Sequence, residues 1–333
     1  MLTLLLGIVV TAAASAVVFV AHAWYQEHRA DRIPVLLYHR FLSRAAYERG
    51  EIRSAERTYV AFDDDFAAEM QALRDDGYQP LDLDEYADAL DGKRPFPKKG
   101  IVITIDDGFR SVYLHAFPIL RRLGMKAVFF VTPDKSAYNF AKNAATDEPA
   151  TDDELREMSQ AGIAIESHGM THRYLTTLDD NTIRWEMEES RRVLTERFGR
   201  EVRYLAIPSG AYDRRVRGIV ATSGYRVVFA SRKGTNHPGV DRLAMRRLVV
   251  GRGFGAAGLR HLLRPSTAFQ LRLASGAQNA LQSLIGTGGL DKLRLLILRL
   301  PFGPALIRRP VRLLAAGLGA VILAAVAAAL LLR

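Results

Sequence analysis

Between residues 33 and 255, short apolar runs alternate with amphipathic stretches, and no other feature restricts the possible folds as strongly. Strand-like runs occupy 34–38, 77–81, 101–105, 127–132, 163–167, 204–207 and 227–230. Helical patterns lie between them at 66–75, 83–90, 111–123, 152–160, 181–198 and 214–222. Repeated strand–helix units imply a parallel sheet, because each helix carries the chain back to start the next strand. About seven strands without a Gly-rich nucleotide fingerprint favour an α/β fold closed as a distorted (β/α) barrel over an open sheet. Local punctuation agrees: Thr151 with Glu154 makes a capping box, and Gly162 and Gly199 stand where helices should stop.

Residues able to do chemistry fall just past the carboxyl ends of these runs: His39, Asp106, Asp107, His168 and Pro208. In parallel barrels that end carries the active site. Ile103-Thr104-Ile105 delivers Asp106 and Asp107 onto Gly108, and a later apolar run delivers His168 and His172. One carboxylate with two imidazoles suits a divalent transition metal, and the second carboxylate stands where a general base for metal-assisted hydrolysis belongs. Each half has a plainer reading, since Asp-Asp-Gly is an ordinary turn sequence and loop histidines often bond to backbone. His-x-x-x-His usually works from a helix, so the chain leaving His168 is expected to turn helically. The Asp63-Asp64-Asp65 run reads only as the acidic start of a helix.

The chain has no cysteine, so any metal rests on His, Asp or Glu. Its net charge of +10 is unevenly placed. Residues 256–333 hold ten basic side chains against one acidic, Asp291, whereas the other 255 residues hold 36 basic and 35 acidic. A nearly neutral body argues against nucleic acid as a partner. Residues 1–25 contain no Lys, Arg, Asp or Glu and are expected to form a transmembrane anchor or a signal peptide. Residues 256–310 interleave apolar and basic side chains, as in a segment lying on membrane lipids, and 311–332 read as a second transmembrane helix. Basic residues flank both candidate spans on the side of the body, which favours a cytoplasmic face for residues 33–255.

Thr104-Ile105-Asp106-Asp107-Gly108 with Ser167-His168-Gly169-Met170-Thr171-His172 resembles the first two motifs of the polysaccharide deacetylases, carbohydrate esterase family 4. The resemblance spans roughly residues 33–255. It implies Asp106 as catalytic base and Asp107, His168 and His172 as ligands of one divalent ion, zinc foremost, with cobalt, nickel or iron as alternatives. The family's third motif sets an arginine before a Pro-aromatic-Gly turn. Here the turn is Ile207-Pro208-Ser209-Gly210-Ala211-Tyr212, with no arginine and with Ser209 at the aromatic position. It still offers the Ser209 amide to an oxyanion, and Pro208, Gly210 and Tyr212 to substrate. The family's late Leu-x-x-His motif, source of its general acid, has no clear counterpart. Pro34-Val35-Leu36-Leu37-Tyr38-His39-Arg40 instead resembles the opening strand of the poly-N-acetylglucosamine de-N-acetylase branch, which implies His39 as the acid.

The resulting expectation is a membrane-anchored, metal-dependent hydrolase that removes N-acetyl groups from an N-acetylhexosamine glycan. Deacylation or deformylation of a lipid-linked amino sugar is the second reading, and a catalytically inactive glycan-binding domain is the third. The family resemblance leans towards an extracytoplasmic catalytic domain, against the basic flanks.

Overall fold

The computed structural model describes residues 2–50, 59–136, 148–210 and 212–278. The chain divides into two compact units, Arg29–Arg264 and Met1–His28 with Pro265–Arg333. In the second unit, α1 (Leu2–His28) packs on a helical stretch at 265–278. Glu27 and Arg272 form an ion pair there at 2.8 Å, with both side chains buried, and Phe19 lies against Gly276.

The larger unit opens with β1 (Val35–Tyr38), β2 (Arg40–Leu42), α2 (Arg44–Glu48), β3 (Val60–Phe62), α3 (Asp63–Asp75), β4 (Gln79–Pro80) and α4 (Leu83–Leu90). It continues with β5 (Gly100–Ile105), α5 (Phe117–Leu123), β6 (Ala127–Val131), α6 (Asp152–Gln160), β7 (Ile163–Ser167) and α7 (Asp180–Phe198). The last elements are β8 (Tyr204–Ala206), α8 (Arg214–Val220), β9 (Val227–Lys233), β10 (Met245–Val249) and α9 (Gly255–Leu262). The strands run β1-β10-β9-β8-β7-β6-β5, all parallel, and the ring closes where β1 pairs with β5 from Val35↔Val102 to Tyr38↔Ile105. β2 and β3 form a separate two-stranded parallel sheet.

Seven strands close the barrel, as the alternation predicts, but one member differs. The run at 77–81 yields only β4, which pairs with the start of β5 outside the ring. The seventh strand is β10, which the sequence reading omits. Two basic residues inside Met245-Arg246-Arg247-Leu248-Val249 hide its strand pattern. The expected helix start and stop hold: Thr151 and Glu154 form a reciprocal capping box that opens α6, and Gly199 ends α7 at φ +64°.

Side chains alternate between the two faces of each strand, so one register fills the interior. Val35, Val102, Val128, Phe130, Tyr204, Ala206, Val227, Phe229 and Met245 pack together there, all buried. Burial of each large apolar side chain is worth about 1.5–3 kcal/mol. Two or four residues further along the same register stand His39, Asp106, Thr132, His168, Pro208 and Arg247. The barrel is thus apolar below and polar at its carboxyl mouth, which is where a site must be.

The flanking transmembrane helices expected from the sequence are not supported. Among the described residues no helix is long and apolar enough to cross a membrane. The first candidate span is helical, but its last turns pack against protein through Ala23, Gln26 and Glu27, all buried. The second span (311–332) and most of the basic segment (256–310) lie outside the described residues.

Candidate metal centre and active site

β5 ends at Ile105 and Asp106 follows it, its side chain continuing the inward register, so Asp107 would ordinarily point away from the barrel. It does not, because Asp107 adopts φ +87° and Gly108 follows at φ +94°. The left-handed turn swings the second carboxylate back beside the first. The chain at 148–150 clamps the turn from above, with Ala150 N–H donating to Gly108 O at 3.0 Å and Arg110 N–H to Glu148 O at 2.8 Å.

His168 is fixed by its strand end. Its backbone N–H donates to Val131 O at 2.9 Å, and its Nδ1 lies 2.8 Å from Ala206 O. A carbonyl only accepts, so Nδ1 carries a proton and a neutral imidazole presents a lone pair at Nε2. That Nε2 stands 3.3 Å from Asp107 Oδ1, and His172 Nε2 stands 3.2 Å from the same oxygen. Each imidazole nitrogen and the carboxylate oxygen must share a proton or, in its place, a metal cation. The three ligand atoms lie within 4.8 Å of one another. Ligands of a tetrahedral ion with bonds of about 2.0–2.2 Å stand about 3.4 Å apart, which the two separations from Asp107 Oδ1 match, so the donor set suits a zinc-like ion. The electrostatics agree. Burial would raise the Asp107 pKa, yet hydrogen bonds from His168 and His172 hold it well below the usual carboxylate range. Burial would lower that of His168, yet the charge of Asp106 and the bond to Asp107 raise it. An ionised Asp107 beside two imidazole nitrogens is an arrangement in which a metal cation can replace the protons they share.

The segment after His168 is not helical, contrary to the spacing argument. Gly169 adopts φ +76° and His172 φ +58°, and only a short 3₁₀ turn, Leu175–Thr177, precedes α7. Two left-handed residues within four positions are incompatible with a helix, and His172 reaches the site from a loop. Asp107, His172 and Ser209 (φ +55°) are the three non-glycine residues with positive φ among those described. All three belong to the predicted site, and such strain gathers where function requires a fixed geometry.

Asp106 is buried and does not share the convergence on Asp107 Oδ1. Its Oδ1 accepts from Arg247 Nη1 at 2.8 Å, and both side chains are 3% exposed, so the charge is paired inside the barrel. Its Oδ2 lies 3.9 Å from His168 Nε2, on the side of the candidate metal position. No arginine stands at the Pro208 turn, but one reaches Asp106 from β10. Its signal was the inward register of Met245, Arg247 and Val249, which becomes readable once Met245 is seen to fill the barrel.

His39 follows β1 and is half-buried, with Nδ1 lacking a hydrogen-bond partner and Tyr59 packed against the ring at 4.9 Å between centroids. Burial pushes its pKa below the ordinary histidine value, while the charges of Asp107 and Asp106 pull it back up. On the opposite side Pro208 is buried and reaches Gly169, where an added Cβ would meet Pro208 Cγ at 3.1 Å. Ser209 is exposed and its hydroxyl donates to Pro208 O at 2.6 Å; the Gly210 N–H donates to Ile207 O at 3.0 Å. Tyr212 is half-buried, its hydroxyl has no hydrogen-bond partner, and burial pushes its pKa up to about 12. Thr132, between the two strand ends that carry Asp106 and His168, also has an unpartnered buried hydroxyl. The sequence reading overlooked it because a strand-end threonine is unremarkable.

A closed parallel barrel with an Asp-His-His cluster and a paired second carboxylate at its carboxyl mouth defines a class of hydrolase scaffold. Residues 93–228 match the polysaccharide deacetylase family. Among curated proteins, the putative polysaccharide deacetylase YxkH of Bacillus subtilis (strain 168) is 26% identical over 235 residues, which is 71% of this chain and 77% of that protein. The poly-beta-1,6-N-acetyl-D-glucosamine N-deacetylase of Staphylococcus epidermidis is 23% identical over 205 residues, 58% of this chain and 69% of that protein. Among solved structures, the Streptococcus pyogenes deacetylase PplD, in complex with acetate, superposes with a TM-score of 0.61 at 23% identity, covering 70% of this chain and 98% of that one. Residues 93–228 thus carry a polysaccharide deacetylase domain, and the barrel has the fold of a solved deacetylase.

Proposed function

We propose that this polysaccharide deacetylase is a metal-dependent de-N-acetylase of an N-acetylhexosamine glycan resembling poly-N-acetylglucosamine. The observation that carries the proposal is the convergence of His168 Nε2 and His172 Nε2 on Asp107 Oδ1, with a second, separately held carboxylate beside it. The sugar is suggested by the named activity of the Staphylococcus epidermidis relative.

Asp107, His168 and His172 would hold one divalent ion. When bound, that ion supplies Lewis-acid polarisation of the acetamide carbonyl and acidifies water. The rest of the chemistry falls to the chain itself. Arg247 occupies Asp106 Oδ1 and leaves Oδ2 to take a proton from the attacking water as its oxygen bonds to the acetyl carbon. Developing negative charge on the carbonyl oxygen is met by the Ser209 backbone N–H. Breaking the C–N bond requires a proton on the departing nitrogen, and His39, on the facing side of the mouth, donates it. The products are acetate and a free amino sugar.

The test is amine release from N-acetylglucosamine oligomers by the full chain, before and after chelation. The proposal expects release that stops with chelator and returns with zinc or cobalt. Undiminished release from metal-free protein, or none from the reconstituted protein, would overturn it.

A further inference from the structure

The two candidate histidine ligands are held by different means. His168 is locked by the barrel itself, through Val131 O and Ala206 O. His172 lies four residues further on, outside any helix or strand, in the left-handed region. Such a backbone costs a non-glycine residue of order 1–3 kcal/mol and persists only where its surroundings impose it.

Glu186 of α7 imposes it. This carboxylate is fully buried, on the inner stripe of the helix with Ile183, Met187, Ser190 and Leu194. Its Oε2 accepts from the backbone N–H of Met170 at 2.8 Å and of Thr171 at 2.9 Å. Its Oε1 accepts a short bond from the Thr171 hydroxyl and lies 3.3 Å from Arg173 Nε. All three bonded residues belong to the segment that carries His172, and Arg173 adjoins it directly. Gly169 permits the approach, since a Cβ there would stand 3.6 Å from Glu186 Oε2 and 3.1 Å from Pro208 Cγ. A carboxylate is costly to bury and is kept where several donors converge on it. Here the donors are the loop's own amides, which a helix would otherwise satisfy internally.

We propose that Glu186 is the positioning residue of the metal centre: it clamps residues 170–173 so that His172 presents Nε2 to the ion before the ion arrives. The inference deepens the reading of Asp107, His168 and His172 as ligands and rests on it. Glu186 touches neither substrate nor ion; it acts through His172. Metal affinity therefore depends on Glu186 beyond any effect on folding.

The experiment uses the full chain, stripped of metal, with zinc affinity measured by competition against a chromophoric chelator and the melting temperature of the metal-free protein recorded in parallel. Glu186→Ala is expected to bind zinc about 10–100-fold more weakly than wild type, as loss of an orienting partner does at metal sites. Glu186→Gln, which retains an acceptor oxygen for the amides, falls between the two and decides the matter if the alanine variant fails to fold. Wild-type zinc affinity in the folded variants, with only the melting temperature lowered, would show a merely structural role and overturn the inference. Absence of zinc binding by the wild-type chain would instead overturn the ligand assignment beneath it.

Discussion

Asp106 and Glu69 are both buried carboxylates beside the same barrel wall, and their surroundings differ in one decisive respect. Asp106 faces inward and shares a 2.8 Å ion pair with Arg247. Glu69 lies outside, between β1 and α3, where Tyr38 donates its hydroxyl at 2.9 Å and, among the described residues, no cation is paired with it. Burial, opposed by the Tyr38 bond and supported by the charge of Asp65, pushes the Glu69 pKa up to about 8. A buried carboxyl without a countercharge becomes a neutral filler near physiological pH, whereas one set against a guanidinium has its negative charge compensated where a base is needed. The proposed function gives the inward-facing group a part in the chemistry and leaves the outward-facing one to packing.

Removing the guanidinium breaks this contrast most severely. Arg247→Met should lower kcat by about 10²-fold through loss of the Asp106 orientation, and cost roughly 3–5 kcal/mol of stability by leaving a buried charge uncompensated. Steady-state kinetics with denaturant unfolding check both, and zinc content should stay unchanged because the hydrogen bonds of the Arg247 guanidinium go to Thr104 and Asp106 rather than to a candidate ligand. Normal turnover in a destabilised variant would reduce Arg247 to a structural role.

A smaller effect sharpens the other side. The folded-state pKa of Glu69 is raised from 4.5 to about 8, so the folded protein binds the proton more tightly than the unfolded chain. Below pH 4.5 both states are protonated and the group costs nothing. As pH rises towards 8 the unfolded chain ionises while the folded one does not, so stability drains away, then levels off above pH 8. Glu69→Gln should therefore gain on wild type across that window, by up to about 5 kcal/mol, and run parallel to it on either side. Unfolding free energies measured from pH 4 to 9 test this. Parallel curves throughout would mean that Glu69 is ionised in the fold.

Much of the site was legible because strands announce themselves. An apolar run ending in Asp106-Asp107-Gly108, or in His168, places its polar residue at a barrel mouth by periodicity alone. Arg247 was not legible, because paired basic residues on a strand look solvent-facing until the neighbouring register is known. Glu186 was hidden among Glu188 and Glu189 on α7, and its only sign is that it falls on the helix's apolar stripe. The backbone turns at Asp107 and His172 were also beyond reach, since positive φ stays rare for any non-glycine residue even though Asp and His adopt it more readily than most. Counting strands gave the right number with 77–81 in place of β10, because short apolar segments look alike whether or not they join a ring.

The central claim is that one carboxylate holds the ion while its neighbour does the proton transfer, and Asp106→Asn tests it most directly. Zinc content and amine release should be measured on the same sample. The account predicts one zinc per chain, as in wild type, with kcat reduced by about 10²–10⁴-fold. Loss of the metal together with activity, or full turnover with the metal retained, would contradict it.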